Sequence, residues 1–376
     1  MIKFPTFRSV SVAAIACKDG PVAVTGCSGF TGGHLVRELV IHGYHVRACL
    51  RDSRSWRGQD CIRYLQGLPN VEIYDGCDLF LPGSYNDAFN GCSGVFHAAA
   101  VLGNSADGKS QPLGSGEVQD DVYIGGLSGT QNVIDAVNAS GSVRRLIYTS
   151  STAAVRPNTG DQIVPDGYEW TETDWASDKG KSNSKFEAYA RSKVDVEHLV
   201  NKSAAASEYW DAITINPSMI CGPILFKAQV GQWIEQIGRL ASGKEPNFPD
   251  RYDKYYDIID VRDLVKVQRL AIESSVDHNN SSGGARYIMA GTGGHSTMRL
   301  GTDILKVISS QFPNFIIGEP AMTKSNGEPI SISANTINDC KKAKSVLGAT
   351  IRPIEQTIRD IVESQIEFGV IKPTIR

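Results

Sequence analysis

Apolar residues in this chain fall into short unbroken runs, separated by stretches where they recur every third or fourth position. A run of four or five apolar residues between turn signals reads as a buried strand, and recurrence at three and four as the inner face of a helix. Strands are predicted at Val22–Thr25, Tyr44–Leu50, Val71–Tyr74, Gly94–His97 and Arg145–Thr149. Helices fall between and after them, over about 32–42, 84–90, 121–139 and 184–203. Alternation at this spacing predicts an α/β fold with a parallel sheet covered on both faces, a doubly wound Rossmann-like domain.

The pattern changes after Thr214-Ile-Asn-Pro217. Segments there are more mixed and more often interrupted by Gly and Pro, Pro313–Pro329 carries turn residues, and a last helix is predicted over 354–368. Residues 21–217 are therefore taken as the dinucleotide-binding domain and 218–376 mainly as a smaller C-terminal substrate lobe. One strand, near Asp257–Val261, is expected to return to the main sheet. Residues 1–20 form an N-terminal extension with Lys3, Arg8 and several serines but no acid before Asp19. That composition suits a targeting segment, a loose tail, or an extra edge strand over Val10–Cys17. No internal repeat or low-complexity tract is present.

Composition narrows the partners. An apolar content of 41%, a charged content of 21% and a formal net charge of -3 describe a globular protein with no basic surface for nucleic acid or acidic membranes. No apolar run approaches the roughly 18 residues needed to cross a bilayer. The eight cysteines are scattered without a Cys-x-x-Cys pair, which suits a reducing compartment and predicts a cytoplasmic protein with neither a disulfide framework nor a zinc site. His42 and His45 straddle a Gly43-Tyr44 turn and offer too few ligands, so no metal is expected.

The first chemical signal is Thr25-Gly-Cys-Ser-Gly-Phe-Thr-Gly32, between the first strand and the first helix. Glycines at 26, 29 and 32 allow a tight turn, close approach of backbone to a pyrophosphate, and close packing of helix on strand. The phosphates then meet free N–H groups at a helix N-terminus. Gly26, Ser28, Gly29, Phe30, Thr31 and Gly32 are the predicted dinucleotide contacts. Arg51 stands at the end of the second strand, 19 residues after Gly32, where an acid would bond a ribose 2′-hydroxyl and an arginine a 2′-phosphate. Asp52 follows at once and blurs that signal, while Arg54 and Arg57 add positive charge. The pattern favours NADPH (NADP+).

The second signal is Tyr189-Ala-Arg-Ser-Lys193, inside a predicted helix. A spacing of four puts phenol and ammonium on one helix face. A free tyrosine, with a pKa near 10, is a poor proton shuttle at neutral pH, and a neighbouring ammonium favours the phenolate and lowers that value. The third is Tyr148-Thr-Ser-Ser-Thr-Ala-Ala154, at the carboxyl end of a parallel strand, where ligands of such sheets bind. One of Ser150, Ser151 and Thr152 is placed to hold a substrate carbonyl oxygen beside Tyr189.

Over residues 20–372 the chain resembles the extended short-chain dehydrogenases, within the epimerase/dehydratase superfamily, and more narrowly the dihydroflavonol reductases, cinnamoyl-CoA reductases and related aldehyde or ketone reductases. The resemblance rests on DGPVAVTGCSGFTG, VRACLRDS, GCDLFLPGSYNDAFNGCSGVFHAAA, VRRLIYTSS, YARSK and INPSMICGP. It implies Ser151 as the catalytic serine, Tyr189 as general acid and Lys193 as its partner on the nicotinamide ribose. It further implies adenine contacts from Asp78 and Leu79, a cofactor lining from Ala98 and Ala99, and Pro217 beside the nicotinamide.

Three departures stand out. Gly126 occupies the position where many short-chain dehydrogenases carry an asparagine that orders a relay water. Phe96–Gly103 lacks a proline that often follows this strand, and Lys185-Phe-Glu-Ala-Tyr189 replaces the segment characteristic of cinnamoyl-CoA reductases. The expected activity is NADPH-dependent reduction of a small-molecule carbonyl by a monomer or homodimer. Its rivals are an NAD-dependent nucleotide-sugar epimerase or dehydratase and a cofactor-sensing protein without turnover. The substrate pocket is expected to draw on residues 102–120, 158–178 and 223–233, with Trp170, Trp175 and Trp233 serving mainly in packing.

Overall fold

The computed structural model describes residues 13–101, 118–156, 165, 167–176, 185–243, 257–276, 285–291, 301–317 and 337–376. The predicted strands become β1 (Val22–Thr25), β2 (Val46–Cys49), β3 (Val71–Tyr74), β4 (Gly94–His97) and β5 (Arg145–Thr149). The helices among them are α1 (Phe30–Ile41), α2 (Trp56–Leu65), α3 (Asn86–Phe89) and α4 (Val118–Ser140). Further along come β6 (Glu169–Trp170), α5 (Lys185–Ala205), β7 (Asp211–Pro217), β8 (Met219–Cys221), α6 (Gln232–Ala241), β9 (Ile258–Asp260) and α7 (Val261–Ile272). The chain ends with β10 (Arg286–Met289), α8 (Gly301–Gln311), β11 (Ile337–Asn338), α9 (Lys341–Leu347) and α10 (Ile354–Glu367).

Seven strands form one parallel sheet in the order β10-β7-β5-β4-β1-β2-β3. Side-chain alternation sends Val22 and Val24 of β1, Phe96 of β4 and Ile147 of β5 to one face, with α1, α2, α7 and α9. Ala23, Val95, Leu146 and Tyr148 point to the other face, against α3, α4 and α5. Both faces are apolar because both are covered, which is why the strands read as runs rather than as alternation. The order reverses between β1 and β4, so a crevice opens at their carboxyl ends. A third apolar cluster joins α6, α8, α10 and β8.

The return of Asp257–Val261 to the main sheet is corrected. Ile258–Asp260 pairs with Met219–Cys221 in a separate two-stranded sheet, and the strand that returns beside β7 is Arg286–Met289. Both are three- or four-residue apolar runs, and only long-range packing decides which joins the sheet. Helix α2 was not foreseen; Ser55 caps it by accepting from Gly58 N at 3.1 Å. Of the extension, Ala13–Ala16 is not a strand, and Ile15 N donates to Ile272 O at 3.0 Å, while residues 1–12 lie outside the described residues. No described helix is long and apolar enough to cross a membrane.

A buried ion pair pins the start of β5. The Arg145 guanidinium, 1% exposed, donates Nε to Asp211 Oδ1 at 2.7 Å and Nη2 to Oδ2 at 2.6 Å, while Nη1 donates to Ser274 O at 2.6 Å. Asp211→Ala leaves that cation buried without its carboxylate, so urea unfolding is expected to show a loss of about 3–5 kcal/mol. A loss under about 1 kcal/mol would contradict this account of the pair.

Candidate active site

The glycine loop has the shape a dinucleotide phosphate requires. Gly26 adopts φ +71°, and a Cβ there would lie 2.8 Å from the Ala99 Cα. A Cβ on Gly32 would fall 2.1 Å from Gly26 O, so α1 packs against the turn only because that side chain is missing. Gly29 is the N-cap of α1 and offers no side-chain cap, so the first-turn N–H groups remain for an anion. Ser28, Phe30 and Thr31 are partly exposed on the same turn. These features fit a bound pyrophosphate without rearrangement.

Two supports of this loop escaped the sequence reading. Thr25 Oγ1 lies 2.8 Å from His97 Nδ1 and accepts from Ala99 N at 3.2 Å, which ties the Ala98–Ala99 turn to the glycine loop. Burial, and then the charge of Lys193, push the His97 pKa down to about 3, so the imidazole is neutral there. Gln229, 2% exposed, donates Nε2 to Gly29 O at 3.2 Å, and its Oε1 accepts from Leu225 N at 2.7 Å. A single glutamine on a short 3₁₀ turn gave no local signal for a contact 200 residues away.

Arg51 follows β2 and is exposed. The ambiguity over Asp52 is resolved by its contacts: Asp52 Oδ1 accepts from Arg54 N at 2.9 Å and from Arg54 Nε at 3.4 Å, capping its own turn. The backbone bond to Arg54 lowers the Asp52 pKa against a smaller opposing effect of burial. Cys77 N donates to Leu50 O at 3.0 Å, which brings Asp78 and Leu79 beside Arg51 at the sheet edge. Asp78 Oδ1 accepts from Phe80 N at 2.9 Å, and Leu79 O accepts from Asn132 Nδ2 at 2.7 Å.

At the other side of the crevice β5 and β7 end together. Ser150 N donates to Ile215 O at 2.8 Å, and Asn216 Nδ2 donates to Ser151 O at 3.1 Å, so Pro217 lies across from Ser151. Ser151 Oγ accepts from Ala153 N at 3.1 Å, while Ser150 turns inward and donates to Glu197. Of the three candidate hydroxyls, Ser151 is the one that stands beside the phenol of Tyr189. Burial raises the Tyr189 pKa and the Ser151 hydrogen bond opposes that rise.

Lys193 departs from the expectation set by its spacing. Its Nζ stands 5.6 Å from the Tyr189 ring centroid but donates to Thr149 O at 3.0 Å and to Tyr148 OH at 3.3 Å. Burial brings its own pKa down to about 8, with Glu197 working in the opposite direction. Burial therefore sets the direction for Tyr189, and the opposing effect comes from the Ser151 hydroxyl rather than from the ammonium. A pocket lined by Leu79, Ala99, Gly126, Tyr148, Tyr189 and Lys193, among others, joins the cofactor crevice to this pair.

Gly126 has a physical reason. A Cβ on it would lie 2.1 Å from Ser192 Oγ, so the α5 serine between Tyr189 and Lys193 fills the place of any side chain on α4. Two of the tryptophans are packing residues, as expected: Trp170 is buried against Tyr168, and Trp175 lies between His198 at 4.2 Å and the Arg286 guanidinium at 3.6 Å. Trp233 packs against the C-terminal apolar cluster. Most of the expected substrate loops, residues 102–117, 157–164, 166 and 177–184, lie outside the described residues.

The model of the NAD dependent epimerase/dehydratase family matches residues 22–282. The chain belongs to that family. Among curated relatives, it is 28% identical to cinnamoyl-CoA reductase 1 of Oryza sativa subsp. japonica over 345 residues, 91% of this chain and 89% of that one. It is 27% identical to the bifunctional dihydroflavonol 4-reductase/flavanone 4-reductase of Pyrus communis, covering 85% and 84%. The yeast methylglyoxal/isovaleraldehyde reductase Gre2, solved with NADPH, shares the fold with a TM-score of 0.71 at 20% identity, over 93% of this chain and 99% of that one. The strand order reverses between β1 and β4, where sheets of this class hold a dinucleotide.

Proposed function

We propose that this protein is an NADPH-dependent carbonyl reductase that converts an aldehyde or ketone to an alcohol. The observation that carries the reading is the convergence of Ser151 and Tyr189 at the carboxyl edge of the sheet, facing the crevice that begins at Gly26. The reductases among its relatives support the direction of the reaction. When bound, NADPH supplies the hydride. Ser151 holds the substrate oxygen by a hydrogen bond, Tyr189 gives that oxygen its proton, and Lys193 anchors the ribose and stabilises negative charge on the phenol. Ala98 and Ala99 keep the crevice wall small, and Pro217 closes it opposite Ser151.

Arg51 supports NADPH over NADH. With Asp52 committed to Arg54, the guanidinium is the group presented at the position that reads the 2′ substituent. A charge-assisted bond of this kind contributes about 1.5–3 kcal/mol. Arg51→Ala is therefore expected to weaken NADPH binding about 10- to 100-fold and leave NADH nearly unchanged, read by cofactor fluorescence. Equal losses for both cofactors would remove Arg51 from this role. The same arginine disfavours the epimerase alternative, whose enzymes retain NAD+ through a cycle.

The test of the activity is NADPH oxidation against aldehydes, diketones, β-ketoesters and dihydroflavonols. Oxidation with one carbonyl class is the expected result. Protein that purifies with tightly held NAD+ and oxidises no NADPH would overturn the reading.

A further inference from the structure

Beneath the site lies a buried polar ladder of which the proposed mechanism uses only Lys193. Tyr148 and Ser150, two apart on the β5 edge, point to one face of the sheet. Lys193 and Glu197, four apart on α5, point to one face of that helix. The two faces meet, and the four side chains pair: Lys193 Nζ donates to Tyr148 OH at 3.3 Å, and Ser150 Oγ donates to Glu197 Oε1. Ser150 also lies beside the Tyr148 phenol. Glu197, 0% exposed, is fixed from behind by Arg286 Nε at 2.7 Å and Asn216 Nδ2 at 2.5 Å. Two hydroxyls therefore stand between a buried cation and a buried anion.

We infer that Tyr148, backed by Ser150 and Glu197, is a positioning residue for Lys193, holding its ammonium charged and aimed at the crevice where Gly126 supplies no side chain for a relay water. The inference rests on the reductase reading. The titratable or charged groups facing Lys193 among the described residues are His97 on β4, Tyr148 on β5, and Tyr189 and Glu197 on α5. His97 is neutral, and burial pushes both phenols upward, so they too are neutral at physiological pH. Glu197 is then the anion that sustains the ammonium, and the Tyr148 hydroxyl is the dipole in direct contact with it. The Tyr148 ring also stacks on His97 at 5.7 Å, so phenylalanine keeps the packing and removes only the hydroxyl, which accepts from Lys193 and meets Ser150.

Removing an acceptor from a buried ammonium favours its neutral form. In Tyr148→Phe, Lys193 should lose its proton about one pH unit lower than in the unaltered protein, where the midpoint lies at about 8. The direct readout is acylation of cofactor-free protein with acetic anhydride between pH 6 and 10, with the Lys193 peptide quantified by mass spectrometry. The second readout is the alkaline limb of kcat/KM for NADPH, expected to move down by the same unit. At pH 8, kcat should fall about 5-fold while KM for the carbonyl changes little. Ser150→Ala should shift both midpoints the same way by less. Glu197→Gln is a poor sole test, because it strips Arg286 of its buried partner. Unchanged labelling and pH profiles in a folded Tyr148→Phe protein would overturn the inference. A wild-type protein that reduces no carbonyl would sink the reductase reading while the labelling arm still reports on Tyr148.

Discussion

Tyr189→Phe is expected to lower turnover of the carbonyl substrate about 10²- to 10⁴-fold, the usual contribution of a positioned general acid, and to leave NADPH binding within a few-fold of the parent. Tyr189 is partly exposed, its phenol lies beside Ser151, and its ring centroid lies 5.6 Å from the Lys193 ammonium. Phenylalanine preserves that ring and removes the one proton the reaction needs at the oxygen. The loss should appear in kcat and in kcat/KM together, because the interaction is made in the transition state rather than in substrate binding. Single-turnover measurement with saturating NADPH separates the two. A variant that retains near-normal turnover with cofactor bound would remove Tyr189 from the proposed chemistry.

Gly32→Ala is expected to weaken NADPH binding about 10- to 100-fold. The added Cβ meets Gly26 O at 2.1 Å and the Gly26 carbonyl carbon at 2.6 Å, both backbone atoms of the loop that approaches the pyrophosphate. No flexible side chain stands there to move aside, so the turn itself must open. Overpacking of this kind costs about 1–3 kcal/mol, and each 1.4 kcal/mol is tenfold in affinity when the strain falls on the bound geometry. Isothermal titration of the variant against NADPH reads the loss, and circular dichroism checks that the sheet persists. Undiminished affinity would mean that the phosphates do not sit on this turn.

These two sites were legible in the sequence because their chemistry is local. Gly26, Gly29 and Gly32 sit within seven residues, and Tyr189 and Lys193 within one helical turn, so spacing alone conveys geometry. Strand β1 and helix α1 on either side gave the glycines their meaning. What escaped reading is long-range. Gln229 reaches the carbonyl of Gly29, Glu197 meets Ser150 and Arg286, and Thr25 meets His97, yet each looks in sequence like an ordinary polar residue in an apolar stretch. The exchange of β9 for β10 at the sheet edge has the same origin, since two short apolar runs differ only in the partner that tertiary packing gives them.

Lys193 illustrates how a correct pairing on a helix can still mislead about energetics. Its spacing from Tyr189 placed phenol and ammonium on one face, as found. Spacing says nothing of burial, however, and burial moves both groups toward their neutral forms: Tyr189 upward and Lys193 down to about 8. Gly126 is a comparable case. As a departure from the resemblance it looked like a missing part, whereas its backbone lies where Ser192 of the facing helix needs the room.

The central claim is hydride transfer to a carbonyl carbon, and the most direct test follows the hydride itself. NADPH carrying deuterium at C4, in each of its two stereochemical forms, is incubated with the protein and the carbonyl substrate that supports oxidation. The account predicts that one form delivers one deuterium to the carbinol carbon of the product and the other delivers none. Product alcohol without label from either form, or NADPH that stays unoxidised while bound NAD+ accompanies rearrangement of a sugar nucleotide, would contradict it.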